Sequence, residues 1–552
     1  MEAIYQEICS ELGLDPSSPA RFPRDSSLVV ACFQGETGSV WAPIVAGRTW
    51  GCRACLGSSL QLLEQHYADF DRPDLLEDEA IELIFRMLDR HGIPTAVNDI
   101  YGPQCWSVCF PVPDCMECRD APRQLTDYAT AFPAVRIQTH GTESADTGGR
   151  RAAPAADFVA ANRAAIGFVS IVSNPYNGGD EPYATLIEGL IRTSTNLSEC
   201  EVAGGKGLNT DQALASFLGE GLERYFAADP FHTRVVVGIE RELAAAIDPI
   251  LEFGYPANDT TAGIEAYSPE RAVEWVLGEN LTLRNDVFVP ANLAFCPYMP
   301  RDSTASRFTV TTTTGVATGA NVEDATLQAL LELIERDAFW YFARTGQSLA
   351  ALPIGALHPY VADAIQSIPG RFTFHALPNP FDVPVVHVTY VADDDYETRT
   401  ARGIGAAEDT EQASLRAFVE CLQILHSLSL AIEVDPVDGD MRHIWFTGEA
   451  MDLLPNFFQD SAEAALPSGT APRTEARFAL SSLIEVLTRE SITLYRVVIA
   501  DSPSFAVVRV LASGMCLTDA TYFTSSDRLA EFARSLPSAP APRVAYAGPT
   551  FM

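Results

Sequence analysis

The stretch EDATLQALLELIERD, residues 323–337, decides the fold: Gln328, Glu332 and Glu335 interrupt an alanine- and leucine-rich run at intervals of four and then three. At about 100° per residue these positions fall within roughly 60° of arc, so the run reads as a helix with one polar stripe. Asp324 joins the stripe, since eleven residues bring it to within about 20° of Glu335. The spacing recurs in QALASFLGEGLERY (212–225), as Ser216, Glu220 and Glu223, and in QASLRAFVECLQIL (412–425), as Arg416, Glu420 and Gln423. Solvated helix faces pair Glu with Lys or Arg one turn on, whereas Glu220 with Glu223, and Glu332 with Glu335, are like charges that repel. A hard dication offsets that repulsion and bridges carboxylates to phosphates. The four glutamates are therefore candidate magnesium ligands, with Arg224 and Arg336 beside them for the phosphates.

Lys206, the only lysine in the chain, lies in VAGGKGLNT (202–210). This reads as a glycine-rich turn, an N-cap at Asn209 or Thr210, and then the first stripe helix: backbone amides, a cation and a helix N-terminus that together suit an anion. A second glycine-rich turn, TTTTGVATGANVED (311–324), precedes the second helix in the same way.

Working outward, runs rich in Val, Thr and Phe predict strands in TRVVVGIE (233–240), NDVFVPANLAF (285–295), RFTVTTTTG (307–315), VPVVHVTYVA (383–392), TLYRVVIA (493–500) and FAVVRVLASG (505–514). Alternation with alanine-rich helices gives a mixed α/β class. SPERAVEWVLGENL (268–281) predicts a further helix, with Ser268 as N-cap and Pro269 at its first position. MEAIYQEICSELGLDP (1–16) reads as a short helix, TESADTGGRRAAPAAD (142–157) as a surface loop, and the proline-rich LPSAPAPRVAYAGPTFM (536–552) as extended.

Length and charge narrow the class. A chain of 552 residues exceeds one ordinary core and implies two or three domains. No apolar run approaches the roughly 20 residues of a membrane helix, and the N-terminal residues lack the basic start of a signal peptide, so a cytoplasmic protein without a membrane partner is expected. A net charge of −36 argues against nucleic acid as a partner. Twelve cysteines in so long a chain are no disulfide framework. The pairs Cys52/Cys55 in WGCRACL and Cys115/Cys118 in PDCMEC suit four-thiolate zinc, with Cys105 and Cys109 as rival ligands, and such a closed site is structural.

From about residue 195 onward the sequence resembles the YcaO family of ATP-dependent peptide-modifying enzymes. GGKGLNTDQALASFLGEGLERY (204–225), TTGVATGANVEDATLQALLELIERDA (313–338) and GIGAAEDTEQASLRAFVECLQ (403–423) look like its three ATP motifs in order, and FAVVRVLASGM (505–515) is similar to its terminal strand and turn. The resemblance implies ATP contacts at Lys206, Ser216, Arg224, Asp324, Arg336 and Arg416, and magnesium at Glu220, Glu223, Glu332 and Glu335. Ala320 and Asp324 depart from the family's usual Asn and Glu, and the last residues, GPTFM, depart from its proline-rich ending. VWAPIVAGRTWGCRACLGSSL (40–60) also looks like the zinc-bearing part of the ubiquitin-activating-enzyme-like (ThiF-like) scaffold that accompanies YcaO cyclodehydratases, and residues 147–174 are similar to its linking segment.

The expected organisation is a partial zinc-binding scaffold over 1–194 and a YcaO ATP-binding catalytic domain over 195–552. By the same resemblance the expected activity is that of a bacterial cyclodehydratase, forming thiazoline or oxazoline in a ribosomally made precursor peptide of the bacteriocin type. ATP, Mg2+ and structural Zn2+ are the cofactors. A thioamide- or amidine-forming enzyme is the alternative chemistry, and a non-catalytic scaffold the alternative class. The leader-binding segment is expected to be missing, and a separate leader-peptide-binding protein is the expected partner. A dehydrogenase acting on the azoline and assembly into a homo-oligomer or hetero-complex accompany it. No catalytic base is assigned; His426 lies beside the third helix, where a lone histidine is more often structural.

Overall fold

The computed structural model describes residues 27–35, 38–46, 55, 107–108, 110–119, 151–166, 170–181, 183–195, 200–229, 235–253, 264–309, 312–345, 349–393, 399–430, 441–458 and 479–515. The expectations for residues 1–16 and 536–552 lie outside them. The fold is mixed α/β, as the alternation of runs implies, and the described residues form four sheets. Strands β1 (Ser27–Gly35), β2 (Gly38–Ala46) and β3 (Ser107–Val108) make the first sheet. The second is β4 (Val172–Glu181), β5 (Ala184–Ile191) and β6 (Glu201–Gly207). The strand bearing Lys206 thus takes its partners from the other side of the expected boundary at 194/195.

The third sheet has six strands. Using β7 (Val235–Gly238), β8 (Val273–Asn280), β9 (Asn285–Pro290), β10 (Val316–Gly319), β14 (Thr493–Asp501) and β15 (Ala506–Ser513), its order is β10-β15-β14-β8-β7, with β9 paired to β8. The fourth is β11 (Arg371–Ala376), β12 (Val385–Val391) and β13 (Thr400–Ala406). Among the described residues these strands pair with one another antiparallel, except β2 with β3.

Four helices matter for the site: α1 (Ala155–Asn162), α2 (Thr210–Ala227), α3 (Val322–Thr345) and α4 (Thr410–Leu430). The three stripe helices α2, α3 and α4 begin as polar N-caps dictate. Asn209 accepts from the Gln212 N–H at 3.0 Å, Asn321 from Asp324 at 2.9 Å and Asp409 from Gln412 at 2.8 Å. Each cap satisfies a donor that the helix cannot, worth about 1 kcal/mol.

Four expectations are corrected. The first glycine-rich turn is largely strand β6, and the second, after a turn at Thr314–Gly315, runs into strand β10. Their glycines serve close approach, since a Cβ on Gly205 would stand 2.1 Å from the Ala213 carbonyl and one on Gly319 2.3 Å from the Ala325 nitrogen. Only glycine lets these strands lie flat against the helices that follow them. The helix expected over 268–281 is a turn followed by β8. Ser268 Oγ accepts from the Glu270 N–H at 3.3 Å, closing the turn, and pairing with β7, β9 and β14 then outweighs the Ser-Pro start signal. RFTVTTTTG is irregular where described: Asn292 Oδ1 accepts from the Phe308 and Thr309 N–H groups, and Asn292 Nδ2 donates to the Thr309 carbonyl, so a side chain replaces the ladder. The loop expected over 142–157 gives way at Ala155 to α1.

The helices and edge strands close a ring. Helix α2 packs on β6 and β10, α3 on β10 and β13, and α4 on β13 and β6. Each of the three strands is the edge of its own sheet. Each of the three helices therefore lies on the strand that precedes it and on the strand of the next unit. Strand β10 divides two cores by its period of two, sending Ala317 into one and Val316 and Ala320 into the other.

Candidate active site

The ring surrounds a cavity of about 730 Å³. All ten positions expected to hold nucleotide or magnesium line it: Lys206, Ser216, Glu220, Glu223, Arg224, Asp324, Glu332, Glu335, Arg336 and Arg416. Residues as far apart in sequence as Lys206 and Arg416 converge because each stripe faces inward while the apolar side of its helix is buried.

Backbone amides near the strand edges hold the carboxylates. Glu220 Oε2 accepts from the Gly204 N–H at 3.1 Å, Glu332 Oε2 from Gly315 at 2.9 Å, and Glu335 Oε2 from Ala406 at 3.1 Å. The first two bonds join a helix to its own strand segment; the third joins α3 to β13. Glu420 receives Lys206 Nζ at 3.2 Å, tying α4 to β6. Arg416 spans the remaining gap, donating to Gln328 Oε1 at 3.1 Å and to the Ala406 carbonyl at 2.8 Å. Arg224 lies 3.7 Å from Glu220 and 3.9 Å from Glu223, and Arg336 lies 3.8 Å from Glu332. Asp324 has a local task as well, since its Oδ2 accepts from the Ala320 N–H at 3.0 Å across the start of α3.

The electrostatics call for a cation. Burial raises the Glu223 carboxyl well above the usual range; Arg224 opposes this, and the charges of Glu332 and Glu220 add to it. Burial and the charge of Glu420 push Glu335 up to about 7. Burial also raises Glu220, against Arg224 and the Gly204 amide. Glu420 goes the other way: burial acts upward, but Lys206, Arg336 and Arg402 outweigh it and hold the carboxyl low. Burial and the charge of Arg151 bring Arg416 down to about 10, which leaves it cationic at neutral pH. Clustered oxygen donors whose ionised form is disfavoured when alone suit a hard dication.

A pH dependence follows. Between the ordinary carboxylate value and about 7, the folded protein without metal holds protons on Glu335 that the unfolded chain has lost. Its stability therefore declines as pH rises through that window, while its capacity for metal grows. Apparent Mg2+ affinity in the presence of a non-hydrolysable ATP analogue is expected to fall at least about tenfold from pH 8 to pH 6. Isothermal titration measures it, and a flat profile would contradict the assignment.

Sequence reasoning passed over a residue behind the site, whose charge helps to hold Glu420 low, and residues that line it. Arg402 on β13 is buried, its guanidinium 5.1 Å from the Phe339 ring centroid and 5.7 Å from that of Trp445. An arginine within the small-residue strand ARGIGA was the available signal. Glu188, buried on β5 opposite Gly204, also lines the cavity, and nothing in its surroundings in the sequence marks it.

The cysteines form a second cluster. The sulfurs of Cys55, Cys115 and Cys118 lie within 4.8 Å of one another, all buried, with Cys55 and Cys118 3.4 Å apart. Zinc–sulfur bonds of about 2.3 Å put thiolates roughly 3.8 Å apart in a tetrahedron, so the three fit one ion. Cys52, Cys105 and Cys109 lie outside the described residues. The cysteine loop also touches α2: Tyr225, next to Arg224, donates its hydroxyl to the Pro111 carbonyl at 2.7 Å and packs edge-on to Phe110.

Residues 204–516 match the family described as YcaO cyclodehydratase, ATP- and Mg2+-binding. A curated uncharacterized protein of Methanothermobacter thermautotrophicus is 30% identical over 244 residues, which are 42% of this chain and 59% of that relative's own length. Among solved structures, a heterocyclase in complex with substrate and cofactor is 18% identical with a TM-score of 0.64, covering 87% of this chain and 72% of the other. YcaO from Methanopyrus kandleri, bound with AMPPCP and Mg2+, is 22% identical with a TM-score of 0.52, covering 72% of this chain and 99% of the other. The heterocyclase TruD is 18% identical with a TM-score of 0.54, covering 87% and 68%. At these identities the solved structures establish the shared fold. Among the described residues no helix is long and apolar enough to cross a membrane.

Proposed function

The chain belongs to the YcaO family, its match running through residues 204–516 of 552, and on that premise we propose that it is an ATP-dependent cyclodehydratase of a ribosomally made precursor peptide. The observation that carries this reading is the convergence of Glu220, Glu223, Glu332 and Glu335, with Lys206, Arg224, Arg336 and Arg416, on one cavity. The carboxylates hold Mg2+, and the cations, together with Ser216 and Asp324, hold the nucleotide. In the reaction a Cys thiol, or a Ser or Thr hydroxyl, adds to the preceding amide carbonyl carbon. The carbonyl oxygen then takes the terminal phosphoryl group of ATP. Phosphate departs with that oxygen as the ring C=N bond forms, and the nucleophile and the amide nitrogen each give up a proton. The protein supplies position and charge.

The test is to incubate the chain with ATP, Mg2+ and its cognate precursor, alone and with a leader-binding protein encoded beside it. Loss of one water mass per modified residue, with ADP formed, is the expected result. Sulfur-for-oxygen exchange would reassign the chain to thioamide formation, and no ATP use with any of these mixtures would leave a binding scaffold. Assembly with that leader-binding protein and with an azoline dehydrogenase is part of the proposal.

Structural zinc at Cys55, Cys115 and Cys118, with Cys52 as the fourth thiolate, is the companion proposal. Purified chain is expected to contain zinc by elemental analysis, and Cys118→Ser to lose it and melt several degrees lower. An unaltered melting curve would remove the structural role. Because Tyr225 anchors the cysteine loop to α2, the lost metal is also expected to weaken Mg2+ binding.

A further inference from the structure

We propose that Thr318 is a direct hydrogen-bonding contact to the bound nucleotide, an inference that rests on the ATP-binding reading above and adds a residue that neither the stripe nor the family motifs single out. Thr318 lies on β10, between Ala317 and Gly319, in a strand of four buried residues. It is 8% exposed and lines the cavity, yet its Oγ1 is enclosed and meets no hydrogen-bond partner. A buried hydroxyl without a partner costs free energy, and valine would fill the same shape in a strand without that cost.

The surroundings indicate which ligand completes it. By the period of two, Thr318 shares the face of Val316 and Ala320, which join the core that includes the apolar side of α2. Ser216 and Gly219 of α2 line the same cavity, and beside Gly219 there is open space, with no heavy atom within 4 Å of a Cβ built there. On the other side, Gly319 brings the end of the strand against the first turn of α3, where Ala320 and Asp324 also face the cavity. Thr318 therefore borders the cavity between a serine on α2 and the N-terminal turn of α3, a setting that suits a phosphate- and hydroxyl-rich ligand, which the enclosed hydroxyl meets by turning about the Cα–Cβ bond. Glu220 and Glu223 follow Ser216 along α2, so a nucleotide placed here has its metal beside it.

The experiment is equilibrium binding of AMPPCP with Mg2+ by isothermal titration, paired with thermal melting, on wild type, Thr318→Val, Thr318→Ser and Glu332→Ala. Thr318→Val is expected to bind about tenfold more weakly with an unchanged melting temperature, and Thr318→Ser, which keeps the hydroxyl, to stay within about threefold of wild type. Wild-type affinity in Thr318→Val together with a raised melting temperature would overturn the inference alone, showing a hydroxyl merely tolerated in the core. Equal weakening by Val and Ser would also overturn it, since the lost property would then be shape. If wild type does not bind AMPPCP and Glu332→Ala makes no difference, the ATP-binding reading falls and this contact falls with it.

Discussion

Glu335→Gln is expected to abolish Mg2+-dependent ATP turnover, with a loss on the order of 10³-fold or more, while the chain remains folded. Glu335 both faces the cavity and accepts the Ala406 N–H at 3.1 Å, so it joins α3 to β13 as well as offering an oxygen to metal. The glutamine keeps an acceptor for the amide and removes only the charge, so the two roles separate. Truncation to alanine removes both and is expected to lower the melting temperature too. The charge carries the larger effect, because burial and Glu420 push this carboxyl up to about 7 despite Arg336 and Arg416 when no metal is bound. A phosphate assay with matched circular dichroism reads the outcome. Full turnover in Glu335→Gln or Glu335→Ala would sink the magnesium assignment.

The second large effect is on stability. In Gly403→Ala the new Cβ would stand 2.0 Å from the Ala417 carbonyl and 2.5 Å from the Cys421 nitrogen, both backbone atoms of α4. Backbone in mid-helix cannot yield by rotating a side chain, so β13 and α4 must part, at about 3 kcal/mol or more. The expected result is insoluble protein, or a melting temperature lowered by many degrees. Gly355→Ala is the control, since nothing lies within 4 Å of its Cβ, and its effect is expected to stay within about 0.5 kcal/mol. Equal melting of the two variants would mean that close approach is not why Gly403 is a glycine.

The stripe helices were legible because their signal is periodic and local. Four-then-three spacing fixes which side chains share a face whatever the helix packs against, and Asn209 announces the first of them. Convergence of the three faces was legible only through family resemblance, because no spacing within one helix encodes its distance to another. The glycines misled for a physical reason: glycine weakens a strand by propensity, so Gly204, Gly205 and Gly207 read as a turn, whereas β6 needs Gly205 and Gly207 for an approach visible only once α2 is in place. Ser268–Pro269 misled because the same chemistry closes turns and starts helices, and the pairing partners of β8 lie elsewhere in the chain. Arg402 and Thr318 carry no periodic mark, and each is informative through what surrounds it.

The closed ring of three strand-and-helix units has a consequence for how the chain can be altered. In space no unit is first or last, although the chain visits them in order. The cavity is therefore indifferent to connectivity and intolerant of subtraction. Removing one unit strips a neighbour from both of the others. Insertions belong in the connections, outside the circle, where they lengthen the chain without changing the distance between any two carboxylates.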